Sequence, residues 1–291
     1  QPDAGAMSGG NFTLEGGFWG IIAAVQTPGA PLLSILRTST ALREARDSRL
    51  VFEAVPEREP LKIDILKQLK ETCPGGTFFL SNTSSIPIGF LDREAGLGGR
   101  IIGFHFYNPP PVQKLVELIP AQTTRPELTE MAHEIARRLG KTAVPSRDIA
   151  GFIGNGHFVR DALHAIGEVE EGRFSGSLTL PAEFEVLYAL NKVSQEGLLR
   201  PMGIFQLIDY VGLDVFSSIM QVMARHINVE RAASSFRETF HADLIGRMLS
   251  KKMLGGQHPD GSQKDGFFQY KGRQLTGVYA LDREAYISLQ N

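Results

Sequence analysis

A single cysteine, Cys73, stands in 291 residues, which excludes an intrachain disulfide and fits a reducing cytoplasm. Neither sign of charge dominates. Thirty Lys and Arg against 32 Asp and Glu leave a net charge of −2, giving no general attraction to nucleic acid or an anionic membrane. No apolar run approaches the roughly 20 residues of a membrane span, and the stretch 20–25 is far too short. The N-terminus lacks a basic segment followed by an apolar core, so no secretory signal is read there. It opens on Gln1 rather than Met, and the expectation is a processed or incomplete chain. Arg37, Arg43, Arg46 and Arg49 are interleaved with Glu44 and Asp47, the pattern of a solvated helix face rather than a phosphate-binding patch.

What is present is an ordinary globular balance, 42% hydrophobic and 21% charged, in a chain long enough for two domains. Residues 1–35 are rich in Gly, Ala and Pro and are expected to be poorly ordered or a remnant, with one apolar segment at 18–25. From Leu50 the pattern sharpens. Residues 50–55 suit a buried parallel strand, and Pro60 opens a helix carrying Leu61, Ile65, Leu66 and Leu69 up to Pro74-Gly-Gly. Strands are predicted at 77–80, 101–105, 115–119 and 142–145, with a helical connection at 88–94. A second helix opens at Pro126, with a stripe of Leu128, Ala132, Ile135 and Leu139 and a stop at Gly140. This alternation over 36–147 predicts a parallel α/β domain with right-handed crossovers. Residues 148–291 read as mostly helical, with helices near 152–171, 182–197, 201–224 and 239–253.

Three segments carry chemistry: Ser81-Asn-Thr-Ser-Ser-Ile86, Phe104-His-Phe-Tyr-Asn-Pro109 and Lys114-Leu-Val-Glu117. They place a hydroxyl, an imidazole and a carboxylate at the ends of successive predicted strands, where α/β sheets bind ligands. His105 and Glu117 have the chemistry of a base and its orienter, as proton abstraction from an alcohol requires. In order and spacing the segments resemble the 3-hydroxyacyl-CoA dehydrogenase family. Further likeness lies in Phe52-Glu-Ala-Val-Pro-Glu57 with Lys62, in Asp148-Ile-Ala-Gly-Phe-Ile-Gly-Asn155, and in Arg200-Pro-Met-Gly203 with Leu207-Ile-Asp-Tyr-Val-Gly-Leu-Asp214. The resemblance covers about residues 36–291.

It implies an incomplete Rossmann-like sheet domain followed by a helical C-terminal domain, and NAD-dependent oxidation of 3-hydroxyacyl-CoA to 3-oxoacyl-CoA in fatty-acid β-oxidation or a related pathway. His105 would be the general base, Glu117 its orienter, Ser84 a hydrogen-bond partner of the reacting oxygen, and Asn155 a residue positioning the substrate. Ala54, Glu57, Lys62, Ser84 and Asn108 match positions that contact NAD. The substrate would be an acyl-CoA, no metal is implied, and the helical domain would form a homodimer.

Each residue also has a structural reading. His105 could be a satisfied strand-end histidine, Glu117 could pair with Lys114 at a solvent-facing edge, and Ser84 and Asn155 could be helix caps. His157, Asp161, His164 and Glu168 share one helix face, better read as a polar face or subunit contact than as a metal ladder. Departures from the family pattern are Gly156 for Arg, Ala150 for Pro, and a long segment from Gly255 to Phe267 in which Lys264 has no clear counterpart.

A dinucleotide site also needs a Gly-x-Gly-x-x-Gly turn between a first strand and helix. None precedes Leu50; Gly9-Gly10 and Gly16-Gly17-x-x-Gly20 neither follow an apolar strand nor open an amphipathic helix. The expectations are a fragment, a variant lacking its first βαβ unit, or a subunit completed by another polypeptide, and the chain by itself is expected to bind NAD poorly. Two other functions stay open: a non-catalytic, crystallin-like homologue, and a dehydrogenase of a hydroxy acid without CoA.

Overall fold

The computed structural model describes residues 37–171, 183–227, 243–258, 260–272 and 274–289. The expected N-terminal segment 1–35 and part of the helix expected at 239–253 lie outside them. Two compact units divide between Asn155 and Gly156.

The first unit is a five-stranded sheet in the order β1 (Leu50–Glu53), β2 (Phe78–Ser81), β3 (Ile101–Phe106), β4 (Leu115–Ile119), β5 (Thr142–Pro145). Strands β1, β2 and β3 are parallel to one another, as are β4 and β5, but β3 and β4 are antiparallel. The parallel expectation holds for every neighbouring pair but β3 and β4. Only residues 107–114 join β3 to β4, too few for the crossover of a dozen or more residues that a parallel pair needs.

Helices fill the connections. In α1 (Glu59–Thr72), Pro60 sits in the first turn, where its missing N–H costs nothing, and Leu66 and Leu69 are buried. Helix α2 (Ile88–Ala95) ends on Gly96 at φ 65°, a left-handed cap suited to glycine. Helix α3 (Pro126–Arg138) buries Leu128, Ala132 and Ala136 against Ile102, Phe104, Val116 and Leu118, with Ile135 and Leu139 packed at the margin. That apolar layer takes one face of β3 and β4. Side chains alternate along a strand, so His105 and Glu117 point to the other face.

Helix α4 (Gly154–Glu170) leads into the second unit, with α5 (Glu183–Lys192), a π-helical turn at Val193–Gly197, α6 (Ile204–Val211), α7 (Leu213–His226) and α8 (Asp243–Ser250). The single helix expected over 201–224 is in fact two, bent by 97° where Gly212 takes φ 99°. Among the described residues no single helix is long and apolar enough to cross a membrane. The mostly helical expectation also missed an antiparallel sheet, β6 (Phe268–Lys271), β7 (Gln274–Ala280) and β8 (Ala285–Ser288). Asp209 of α6 ties that sheet to the helices, accepting hydrogen bonds from Phe267 N, Phe268 N and the Tyr270 hydroxyl at 2.7, 2.9 and 2.8 Å.

Candidate active site

His105 and Glu117 are register partners across the β3–β4 ladder, which accounts for their spacing of twelve along the sequence. Both are buried, at 7% and 1% exposure, so Glu117 makes no solvent-facing edge pair with Lys114. Nδ1 of His105 lies 3.3 Å from Oε1 of Glu117. The same oxygen accepts from the Tyr107 hydroxyl at 2.5 Å and from Gly154 N at 3.1 Å, while Oε2 accepts from Ile153 N at 2.9 Å. The carboxylate thus holds the first N–H groups of α4, where a helix favours negative charge.

Burial opposes ionisation of Glu117, but hydrogen bonds from His105, Tyr107 and Ile153 outweigh it and hold the group at about 2. An ionised carboxylate only accepts, so the proton of a neutral imidazole sits on Nδ1 and the Nε2 lone pair is left for chemistry. Phe152, at φ 49° beside Gly151 at φ 79°, brings its ring within 5.9 Å of the imidazole centroid. That tight turn sets the wall of the site on one side.

Beyond β2, Ser84 and Asn155 meet: Asn155 Nδ2 donates to Ser84 O at 2.8 Å. Asn155 lies inside α4, so it is no N-cap, and the cap of α2 is supplied by Asp148, which accepts from Ile88 N and Gly89 N at 2.5 and 2.8 Å. Ser84 N, Ser85 N, the Ser85 hydroxyl and the Thr83 hydroxyl all donate to Glu57 Oε1, at 2.7–3.0 Å. One carboxylate therefore shapes the whole loop. Burial again opposes its charge, yet Lys62 and these donors keep it below its ordinary value.

Lys62 sits differently from a surface cofactor contact. Its side chain is 1% exposed, and Nζ binds Glu53 Oε1 at 2.8 Å, Val55 O at 3.0 Å and Glu57 Oε2 at 3.4 Å. Glu53 completes the cluster by accepting from the Ser81 hydroxyl at 2.5 Å. Asn108 is exposed after β3, and Ala54 is half-buried after β1. Among the described residues no group of three or more His, Cys, Asp or Glu forms a metal site, and Asp161 pairs instead with Arg200 at 2.6 Å.

Sequence reasoning did not single out Tyr107, Glu53 or the N–H groups of Ile153 and Gly154. Glu53 was findable, as a carboxylate closing an apolar strand nine residues before a lysine. The backbone donors carry no sequence signal.

The chemistry of the donors decides whether this end of the sheet suits a nicotinamide, a ring whose charge changes on hydride transfer. Lys62 and its two carboxylates satisfy one another below the loops, and Ala54, Ser84 and Asn108 at the strand ends are neutral. Such an edge suits either charge state, so the residues present fit the group.

An α/β sheet with a carboxylate-held imidazole at its strand ends has the proton acceptor that a nicotinamide-dependent oxidoreductase of an alcohol requires. Residues 23–149 match the family 3-hydroxyacyl-CoA dehydrogenase, NAD binding domain, and residues 187–259 match 3-hydroxyacyl-CoA dehydrogenase, C-terminal domain. A probable 3-hydroxybutyryl-CoA dehydrogenase of Deinococcus radiodurans is 34% identical over 218 residues, 74% of this chain and 74% of that protein. The crystal structure of M. tuberculosis FadB2 aligns at a TM-score of 0.66 with 31% identity, over 82% of this chain and 77% of that one. That of (S)-3-hydroxybutyryl-CoA dehydrogenase PaaH1 from Ralstonia eutropha aligns at 0.63 with 27% identity, over 77% and 72%. The chain belongs to the 3-hydroxyacyl-CoA dehydrogenase family, and its cofactor is NAD.

Proposed function

We propose that this chain oxidises a 3-hydroxyacyl-CoA to the 3-oxoacyl-CoA, with His105 as general base. The observation that carries the proposal is the buried His105–Glu117 pair, in which an ionised carboxylate holds Nδ1–H and leaves Nε2 to accept a proton. As the substrate's C3–O–H bond breaks, its proton passes to Nε2 and Glu117 offsets the charge that develops on the ring. NAD, when bound, supplies the acceptor for the hydride leaving C3. The Ser84 hydroxyl would bind the reacting oxygen, and Asn155, fixed on Ser84 O, would help position and polarise the substrate. Ala54, Glu57, Lys62, Ser84 and Asn108 are the residues assigned to the nicotinamide half, with Lys62 and Glu57 acting through the loops they hold.

A cytoplasmic homodimer built through the second unit completes the proposal. His105→Gln tests it, with acetoacetyl-CoA-dependent NADH oxidation and circular dichroism followed together. Loss of at least about 100-fold in rate with an unchanged spectrum is expected; undiminished turnover would refute the assignment.

A further inference from the structure

Three donors share one oxygen of Glu117: the Tyr107 hydroxyl, Gly154 N at 3.1 Å and the His105 ring. The Tyr107 hydroxyl stands 2.5 Å from Oε1 and the His105 ring nitrogen 3.3 Å from it, so the tyrosine holds the closer place. Tyr107 is fixed from behind as well. Its ring lies against Gly154, where an added Cβ would stand 2.5 Å from the hydroxyl and 2.8 Å from Cε1, so only glycine admits the ring in this pose. Its ring centroid is also 5.3 Å from that of His105.

We propose that Tyr107 is a positioning residue that draws Glu117 Oε1 away from the imidazole and so sets how tightly His105 holds a proton. The inference rests on the assignment of His105 as the base. A carboxylate oxygen that already accepts a short O–H hydrogen bond has less electron density to offer a second donor, and it is held at a longer distance from it. Both effects leave the imidazolium less stabilised than a close, unshared carboxylate would, and a base of moderate strength releases its proton again within each turnover.

Among the described residues no other charged group beside the pair takes the role. Glu57 and Glu53 are satisfied by Lys62 and the loop donors, and Asp148 by Ile88 N and Gly89 N. Lys141 is bound to Pro110 O and Gln113 O. Strand β5, which faces Glu117 through Val144, and the turn 149–153 carry no charge.

Tyr107→Phe keeps the ring and its packing and removes only the hydroxyl. The imidazole titration of His105 is read by NMR on the full chain with 13C-labelled histidine, its resonance assigned by loss in His105→Gln. The expected result is an upward shift of the His105 midpoint by about half a unit or more. No such shift is expected in a Glu117→Gln background, where the shared charge is gone. An unchanged or lowered midpoint in Tyr107→Phe would overturn the proposal, as would an equal shift in both backgrounds. Because neither NAD nor substrate is present, the result stands whether or not the chain turns over acyl-CoA. The two assignments therefore fail separately.

Discussion

His105 and Glu117 face each other across an antiparallel ladder, one on β3 and one on β4, and the second of them also closes the N-terminus of α4. A single carboxylate thus couples the orientation of the imidazole to the seating of the helix that follows. Removing it touches both.

Glu117→Gln offers one acceptor oxygen and one amide group where four donors converge. It is expected to lower kcat/KM by about 100-fold or more through misplacement of the base. It should also destabilise the first unit by about 2 kcal/mol, since some of those donors are left unpaired. The pH dependence separates the second effect from the first. In the folded chain Glu117 titrates at about 2 against an ordinary value of 4.5, so the unfolded chain takes up the proton first as pH falls. Its contribution is whole above 4.5 and is lost as pH falls through 2. Urea midpoints measured down this range should fall more steeply in wild type than in the variant; parallel curves would contradict the assignment.

The pairing was legible because a histidine at the end of one apolar run stands twelve positions before a glutamate within the next. The direction of β4 was half legible, since an eight-residue link forbids a parallel crossover. What the sequence could not show was the company Glu117 keeps. Tyr107 reads as one more aromatic in an apolar strand, and the N–H groups of Ile153 and Gly154 belong to the backbone. The second sheet escaped for a similar reason: β6 and β8 are four residues each, and β6 lies between Gly266 and Gly272 as a loop segment would. Lys62 was legible only as a match to a cofactor-contacting position, and only the fold shows that Glu53 and Glu57 meet around it.

That burial has its own consequence. Lys62→Met removes the only cation from a cluster in which Glu53 is 0% exposed at its side chain. An uncompensated buried carboxylate costs about 3–5 kcal/mol, well beyond the loss of one surface pair. The denaturation midpoint of the first unit should drop accordingly. Amide exchange of Ser84 and Ser85, whose N–H groups rest on Glu57, should accelerate with it. A midpoint within about 0.5 kcal/mol of wild type would mean that Lys62 is free to serve a ligand instead.

Asp209 presents the opposite electrostatic case in the second unit. It is fully buried, and burial pushes its carboxyl up to about 7 from 3.8, against three hydrogen bonds that favour the ion. Between those values the folded chain holds a proton on Asp209 that the unfolded chain has released, so the contribution of Asp209 is greatest below about 4 and is lost as pH rises through 7. Asp209→Asn removes the titration but places an amide N–H₂ where one oxygen accepted a backbone N–H, a mismatch worth about 2–3 kcal/mol. Thermal unfolding from pH 4 to 8 should therefore show a sloping wild type and a less stable variant whose midpoint is flatter over the same range. If the wild type proves as flat as the variant, then the three donors hold Asp209 ionised throughout, and the tie between α6 and β6 is a permanent charge rather than a titrating one.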